Sequence, residues 1–557
     1  MARNAAAIPA SAVITADERR SGTPRVARRI VRITSWTLLA IVALAVLFCF
    51  VSAHAVPGNS DGSTVILEGQ SMSTGHLMLQ GWALSSDSFW TIDAVVYMFA
   101  VLVAGVHAIF LHLVPALIAS AVVVTGVHIV RADWRGAAGF AGAAAVLALL
   151  ALPSHALAFF FLQGPLHVGT ALLCLLAFVG LGKGRFGWGW IVAVVLLAAG
   201  TIGDLQTIAL GVVPALLAGA VGSMRCRNWR TGLPTSAAAV ASIALAVVVR
   251  EVARAIGTFT LVSAAPPQSI SQAILNFATL GNYLPKLLGV GTAAGFGSGG
   301  APHFAEYAHG IGLLAVAGGV LVAVVGLLLG VMDGDKTAVE RSTSWRLDDL
   351  LVFAFFGDLV VFLALADNAD PPSARYLTAG VIFGSILAGR LIARLTVRLL
   401  RSGPKLRRWG PKLGCVLATA VVGVLATGVA FNLAHPSPNH PYERVGAFLE
   451  QHGLHEGIGD YWSSSIVTVE TDGSVEVRPV TRNPHGQLVR YARESSSDWY
   501  TGQQFTFLVY NPAYPFGNVD TATAVATFGQ PRSRYHVAGI EVLVWRHPFT
   551  LSSHGIS

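Results

Sequence analysis

Apolar runs of roughly 18 to 25 residues recur along the whole chain, separated by short clusters of arginine and lysine. A helix of that length crosses a hydrocarbon core of about 30 Å. Lipid offers no partner to an unpaired backbone group, so such runs must be helical. The runs fall near 36–51, 92–109, 111–130, 138–161, 166–182, 188–203, 207–224, 234–256, 305–331, 349–366, 376–398 and 411–433. They predict an all-α polytopic membrane bundle of about 11–12 hydrophobic helices. Composition agrees: 54% of residues are hydrophobic, 12% are charged and mean hydropathy is +0.62. A soluble chain carries about 25% charged residues.

The basic clusters set the topology, because lysine and arginine collect on the cytoplasmic side. Residues 1–33 read as a cytoplasmic basic tail with Arg19, Arg20, Arg25, Arg28, Arg29 and Arg32. Ala53-His54-Ala55 has the form of a signal-peptidase site, but the tail is long for a signal peptide and an uncleaved anchor is the better reading. Lys183/Arg185, Arg225 to Arg230, Arg341/Arg346 and Arg394 to Arg408 are then cytoplasmic, which puts Asp204, Arg375 and everything after Ala434 outside. The net charge of +8 reports this topology, not nucleic-acid binding. Counting forward gives one crossing too many before Asp204, so one run between 92 and 161 is not a full span. Cys49, Cys174, Cys226 and Cys415 form no disulfide framework.

The expected organisation is a transmembrane domain over 34–434, with external loops at 57–90 and 257–304, and an extracytoplasmic C-terminal α+β domain over 435–557. The second loop holds Pro266-Pro267, an amphipathic stretch from Ile270 to Leu288 and a Gly-rich piece from Gly289 to Gly300. In the C-terminal domain Ile466–Val469, Phe505–Val509 and Val542–Trp545 read as short β-like runs.

Ionisable groups beside membrane spans are costly to bury and so begin as functional candidates. Asp61 follows the first span on the predicted external side and is the first candidate for a general base, against a solvated loop acid. Asp204, at a helix mouth, is a second acid; with Asp61 it could hold a divalent cation such as Mg or Mn. Asp87 and Asp93 bracket the next run, and Asp93 fits equally a helix first turn, where the dipole favours an acid. Arg375, with Tyr376 beside it, offers a guanidinium fork suited to anionic oxygens. Arg250 and Arg254 flank Glu251, so an internal ion pair or snorkelling explains them as well. His167 opens a helix beside Pro165, Asp358 is a lone acid within a span, and Tyr461, Trp462, Trp499 and Tyr500 either stack on a bound ligand or are core aromatics.

Asp61-Gly-Ser-Thr-Val-Ile-Leu-Glu-Gly-Gln-Ser-Met, then Gly75-His-Leu-Met-Leu-Gln-Gly-Trp82 and Ser88-Phe-Trp-Thr-Ile-Asp93, resembles the first external loop of GT-C-type membrane glycosyltransferases. An acid just after the first span is that superfamily's hallmark. Gly164-Pro-Leu-His167-Val-Gly-Thr170, Gly203-Asp204, Ala374-Arg375-Tyr376-Leu377 and Leu454-His-Glu-Gly-Ile-Gly-Asp-Tyr461-Trp462 resemble stretches of actinobacterial membrane proteins, so the likeness runs over nearly the whole chain. It implies a GT-C-like enzyme of the plasma membrane that takes a sugar from polyprenyl phosphate or pyrophosphate and passes it to a glycan, lipid or protein acceptor outside. Asp61, Asp204 and Asp93 would be catalytic. Arg375, Tyr376, His167, Arg250, Glu68 and Trp82 would bind substrate. No DxD or ExD pair and no W-W-D-type signature accompanies these motifs, which leaves acceptor class and metal dependence open. A multi-pass transporter or lipid flippase, and a non-catalytic envelope scaffold, remain alternative readings; no internal repeat of the transporter kind is visible.

Overall fold

The computed structural model describes residues 17–262, 268–291, 303–333, 344–366, 371–401, 419–430, 433–434 and 441–551. Pro266-Pro267, most of the Gly-rich piece after Gly289, Arg341, Arg408 and Cys415 lie outside them, as does the start of the basic tail.

The bundle comprises α1 (Asp17–Ala55), α4 (Phe110–Asp133), α5 (Gly136–Leu150), α6 (His155–Phe161), α7 (Val168–Leu181), α8 (Trp188–Gly203), α9 (Ile208–Cys226, opening on a π turn), α10 (Trp229–Ala255), α12 (His303–Asp333), α13 (Ser344–Leu365), α14 (Thr378–Arg401, entered through a 3₁₀ turn, Pro371–Leu377) and α15 (Thr419–Ala430). Among the described residues six helices are long and apolar enough to span, or seven if α5 and α6, bent by 86°, form one span. The bend has a local cause. Pro153 cannot donate a helical hydrogen bond, and Ser154 restarts the helix by accepting from Leu157 N at 3.1 Å. The run at 92–109 folds as α3 (Asp93–Ala104), whose 12 residues make about 18 Å, short of the core thickness.

Close helix contacts use glycine. A Cβ on Gly142 of α5 would lie 2.6 Å from the Gly389 carbonyl of α14, and one on Gly389 would lie 2.7 Å from the Gly142 carbonyl. Only hydrogen at both positions lets these backbones touch.

The stretch 57–90 is not a plain loop. It folds into α2 (Ser60–Ser73), mostly buried, and β1 (Trp82–Leu84). β1 pairs in parallel with β2 (Thr260–Leu261) and antiparallel with β6 (Ser495–Ser496). This small sheet joins the first connection, the link after α10 and the C-terminal domain. The amphipathic stretch at 270–288 is α11 (Ile270–Leu287), anchored where Asn276 Nδ2 donates to the carbonyls of Leu363 and Ala366 at 3.1 and 2.8 Å.

The C-terminal domain is a six-stranded mixed sheet, order β5-β4-β3-β7-β9-β8: β3 (Glu456–Gly459), β4 (Glu476–Arg482), β5 (Leu488–Arg490), β7 (Phe505–Tyr510), β8 (Ser533–Val537) and β9 (Ile540–Phe549). α16 (Pro441–Gln451), α17 (Tyr461–Glu470) and α18 (Thr521–Phe528) accompany it. Phe505–Val509 and Val542–Trp545 are strand as expected, whereas Ile466–Val469 is helical. Asp460 ends β3 and caps α17, accepting from Ser463 N at 3.1 Å. The β-branched run is then the buried face of a helix that connects two parallel strands. α17 packs on α2, where Thr64 Oγ1 donates to Ser465 Oγ at 2.9 Å.

Candidate active site

The first turn of α2 places the key carboxylate. Asn59 caps the helix, its side chain accepting from Gly62 N at 2.8 Å, and this fixes Asp61 in the first turn at the seam with α17. There Tyr461 donates its hydroxyl to Asp61 Oδ1 at 2.5 Å. Both side chains face a cavity of about 290 Å³ whose walls come from α2, the connections before α3 and α7, the turn before α14, and the C-terminal domain. Asp87, His167, Arg375, Arg493 and Glu494 share it with them.

Burial raises the Asp61 carboxyl above its ordinary value, while the Tyr461 hydroxyl, Arg375 and Arg493 pull it back. Glu494 is pushed up to about 7, by burial first, although its Oε1 accepts from Ser85 N at 2.8 Å. Glu68, two turns beyond Asp61, is fully buried with neither carboxylate oxygen hydrogen-bonded; burial and then Glu494 raise it well above the carboxylate range. Asp87 is raised by burial and by the charge of Asp204. The cavity therefore sets two guanidinium groups among acids that burial inclines to hold their protons.

On the bundle side His167 presents its ring to the cavity and backs onto Asp204. The His167 Nδ1–H donates to Asp204 Oδ2 at 2.8 Å, Thr170 Oγ1 donates to the same oxygen, and Gln206 N donates to Oδ1 at 2.9 Å. The other ring nitrogen, Nε2, lies 3.2 Å from the Gln206 amide. The ring is held between Phe89 and Tyr376, at centroid distances of 5.5 and 5.6 Å. His167 and Phe89 both sit in the left-handed region, at φ +62 and +50. Such backbone costs on the order of 1 kcal/mol or more and persists where the surroundings over-determine it.

Of the residues expected from sequence, Asp61, His167 and Arg375 line the cavity. Asp204 and Tyr376 stand behind His167 and Arg375: the Arg375 guanidinium lies 4.8 Å from the Tyr376 ring centre and its Nη2 donates to the Tyr376 hydroxyl at 3.1 Å. Asp93 is buried in the first turn of α3, off the cavity wall, and Glu68 lies deeper along α2. Trp82 and Arg250 are placed elsewhere. Trp82 packs edge-on to Trp499 and donates Nε1–H to Ser71 Oγ at 3.3 Å; Arg250 lies near the C-terminal end of α10 and does not line the cavity. Tyr461 and Trp462 reach the cavity, but Trp499 and Tyr500 do not. Asp61 and Asp204 do not fit a shared cation site, since Asp204 already accepts three hydrogen bonds and Asp61 lies under the influence of two arginines. Among the described residues no three His, Cys, Asp or Glu side chains form a metal-binding group.

Sequence reasoning missed Tyr491, Arg493, Glu494 and Phe516, and left Asp87 unassigned. The first three follow the short strand β5 in a soluble-looking segment, where charges are unremarkable. Only the docking of that segment over α2 gives them meaning.

No protein-family model and no curated protein sequence matches the chain. Its backbone superposes on ArnT from Cupriavidus metallidurans in the apo state, 13% identical, with a TM-score of 0.53 over 92% of this chain and 98% of that one. The same protein bound to undecaprenyl phosphate matches at 15% identity, a TM-score of 0.51 and the same coverage. The fold is that of a GT-C-like multi-pass membrane protein.

Proposed function

We propose that the protein is a glycosyltransferase that moves a sugar from a polyprenyl-phosphate-linked donor to an envelope acceptor at the external membrane face. The observation that carries this reading is one cavity holding the Asp61 carboxylate, oriented by Tyr461, together with Arg375 and Arg493. Asp61 takes the proton of the acceptor hydroxyl. The hydroxyl oxygen attacks the anomeric carbon, the bond from that carbon to the phosphate oxygen breaks, and its electron pair leaves on the phosphate. Arg375 and Arg493 offset the negative charge that develops there. A buried, partly raised carboxyl suits the base, because its proton affinity lies nearer the working pH.

The ArnT structure with undecaprenyl phosphate supports a lipid phosphate as the ligand class. Topology supports the external face. The cavity gathers the starts of α2, α7 and the turn before α14, whereas Arg131, Lys183, Arg225 and Arg394 cluster toward the other ends of their helices. The domain limits follow: 1–33 inside, 34–434 in the membrane and 435–557 outside. A site at one membrane face, not at mid-depth, also disfavours the transporter reading.

The test uses purified protein in lipid nanodiscs, a panel of polyprenyl-phosphate sugars and crude envelope acceptor. Wild type should release lipid phosphate, and Asp61→Asn should lower turnover by about 10²- to 10⁴-fold with the donor still bound. Equal release by the variant would remove Asp61 as the base, and no release from any donor would overturn the reading.

A further inference from the structure

Four aromatic rings of the C-terminal domain line the same cavity: Tyr461, Trp462, Tyr491 and Phe516. They form one group, with centroids 5.0 Å apart for Tyr461–Trp462, 5.3 Å for Tyr461–Tyr491, 5.7 Å for Tyr491–Phe516 and 6.1 Å for Trp462–Phe516. Trp462, Tyr491 and Phe516 are half-buried and belong to neither hydrophobic core of the domain. Other aromatics nearby are used structurally. Trp499 packs on Trp82 and beneath Arg478, and the Tyr500 hydroxyl donates to the Pro479 carbonyl at 2.6 Å. The first group presents ring surface to the cavity; the second fills interior space.

The same cavity carries the polar groups of Asp61, Ser85, Asp87, Ser88 and Arg375 from the bundle side, and Arg493 and Glu494 beside the rings. A cavity that combines a cluster of aromatic rings with many hydrogen-bonding groups matches a sugar, which has an apolar C–H face and a rim of hydroxyls. A prenyl chain would leave the polar lining groups unpaired. An extended peptide would seek a strand edge, and none of the lining residues lies in a strand. Trp462 follows Tyr461, which donates to Asp61, and all three line one cavity, so a sugar ring held on Trp462 shares the cavity with the base.

Resting on the transferase reading for the word acceptor, we propose that Trp462 and Phe516, flanked by Tyr491, are the platform on which a sugar ring of the acceptor stacks, so that the acceptor is a saccharide. A donor sugar has the same chemistry, and the experiment separates the two. Full-length protein in nanodiscs is titrated, without donor, with neutral gluco-, manno-, galacto- and arabino-oligosaccharides followed by saturation-transfer NMR. In parallel it is titrated with polyprenyl phosphate and with its sugar-bearing form. At least one oligosaccharide should bind wild type. Trp462→Leu and Phe516→Leu should each weaken it about tenfold, Phe516→Tyr should restore it, and Tyr514→Ala, two residues away and 74% exposed, should leave it unchanged. Thermal unfolding of each variant confirms that the fold is retained. Affinity for polyprenyl phosphate should not move. Failure of every saccharide to bind wild type overturns the proposal. So does a loss in the leucine variants confined to the sugar-bearing donor, which would make the platform a donor subsite. Ring-dependent saccharide binding without turnover from any donor would sustain the platform as a saccharide site while the transferase reading fell.

Discussion

At the scale of single residues, the cavity acids give the clearest solution signature. Glu494 has an ordinary value of 4.5 and is pushed up to about 7 in the folded protein. Between those values the native state holds a proton that the unfolded chain has released, so stability falls as pH rises through that window. Glu494→Gln removes this contribution. The variant should lose less thermal stability than wild type between about pH 4.5 and about pH 7. Asp460, raised to about 6, and Glu470, raised to about 7, titrate in the same range. The measurement is therefore the difference between the two melting curves; parallel pH profiles would show that Glu494 titrates normally. At the same scale, Asp61, His167 and Arg375 were legible in the sequence because an ionisable side chain beside an apolar run stands out against its surroundings. Arg493 and Glu494 were not, because in a polar segment their neighbours look the same and nothing local announces that the segment folds back onto α2.

At the scale of elements, the sequence misleads where glycine and β-branched residues break the helical pattern. The segment 57–90 reads as a loop because α2 contains Gly62 and Gly69, Thr64, Val65 and Ile66, poor helix formers by propensity. Its burial against α3 and α17 overrides propensity. Ile466–Val469 misleads in the same way, and there the cap at Asp460 was the readable signal. Gly69 explains the poor helix former in α2. A Cβ on it would lie 2.8 Å from Met98 N and 2.9 Å from the Tyr97 carbonyl carbon, both backbone atoms of α3. Gly69→Ala must part the two helices, at a cost of about 1–3 kcal/mol. Asp61 rides on the same helix, so kcat should fall along with the melting temperature. A variant that is destabilised but fully active at low temperature would mean that the position of Asp61 is set by α17 and not by the α2–α3 contact.

At the scale of the whole molecule, the protein carries arginines of two kinds at opposite ends of the bundle. Arg390 is wholly buried on α14, with Nη2 2.8 Å from Asp133 and Nε 2.5 Å from Asp348, and Arg394 pairs with Asp348 as well. Asp133 ends α4, whose 24 residues carry the chain about 36 Å from Phe110. At that first end Leu111 packs over Gly62 in the opening turn of α2. Arg375 precedes α14 on the cavity side, 15 residues or about 22 Å before Arg390. Counting basic clusters set Arg375 apart as external but did not single out Arg390, because what distinguishes Arg390 is which acids other helices bring to it. Removing one partner of a buried ion pair costs on the order of 3–5 kcal/mol, and without Arg390, Asp133 and the buried Asp348 each lose a guanidinium, Asp348 keeping only Arg394 of its two. Arg390→Leu should therefore lower the melting temperature steeply and leave the donor KM near wild type in whatever fraction remains folded. Arg375→Gln should do the opposite: a small change in melting temperature and a donor KM raised roughly ten- to a hundredfold by the lost charged hydrogen bonds to phosphate. Thermal unfolding and initial-rate kinetics on the two variants in the same nanodiscs decide the matter. Should Arg375→Gln lose stability and keep its KM, the guanidinium belongs to the scaffold with Tyr376, and the phosphate must be held by Arg493.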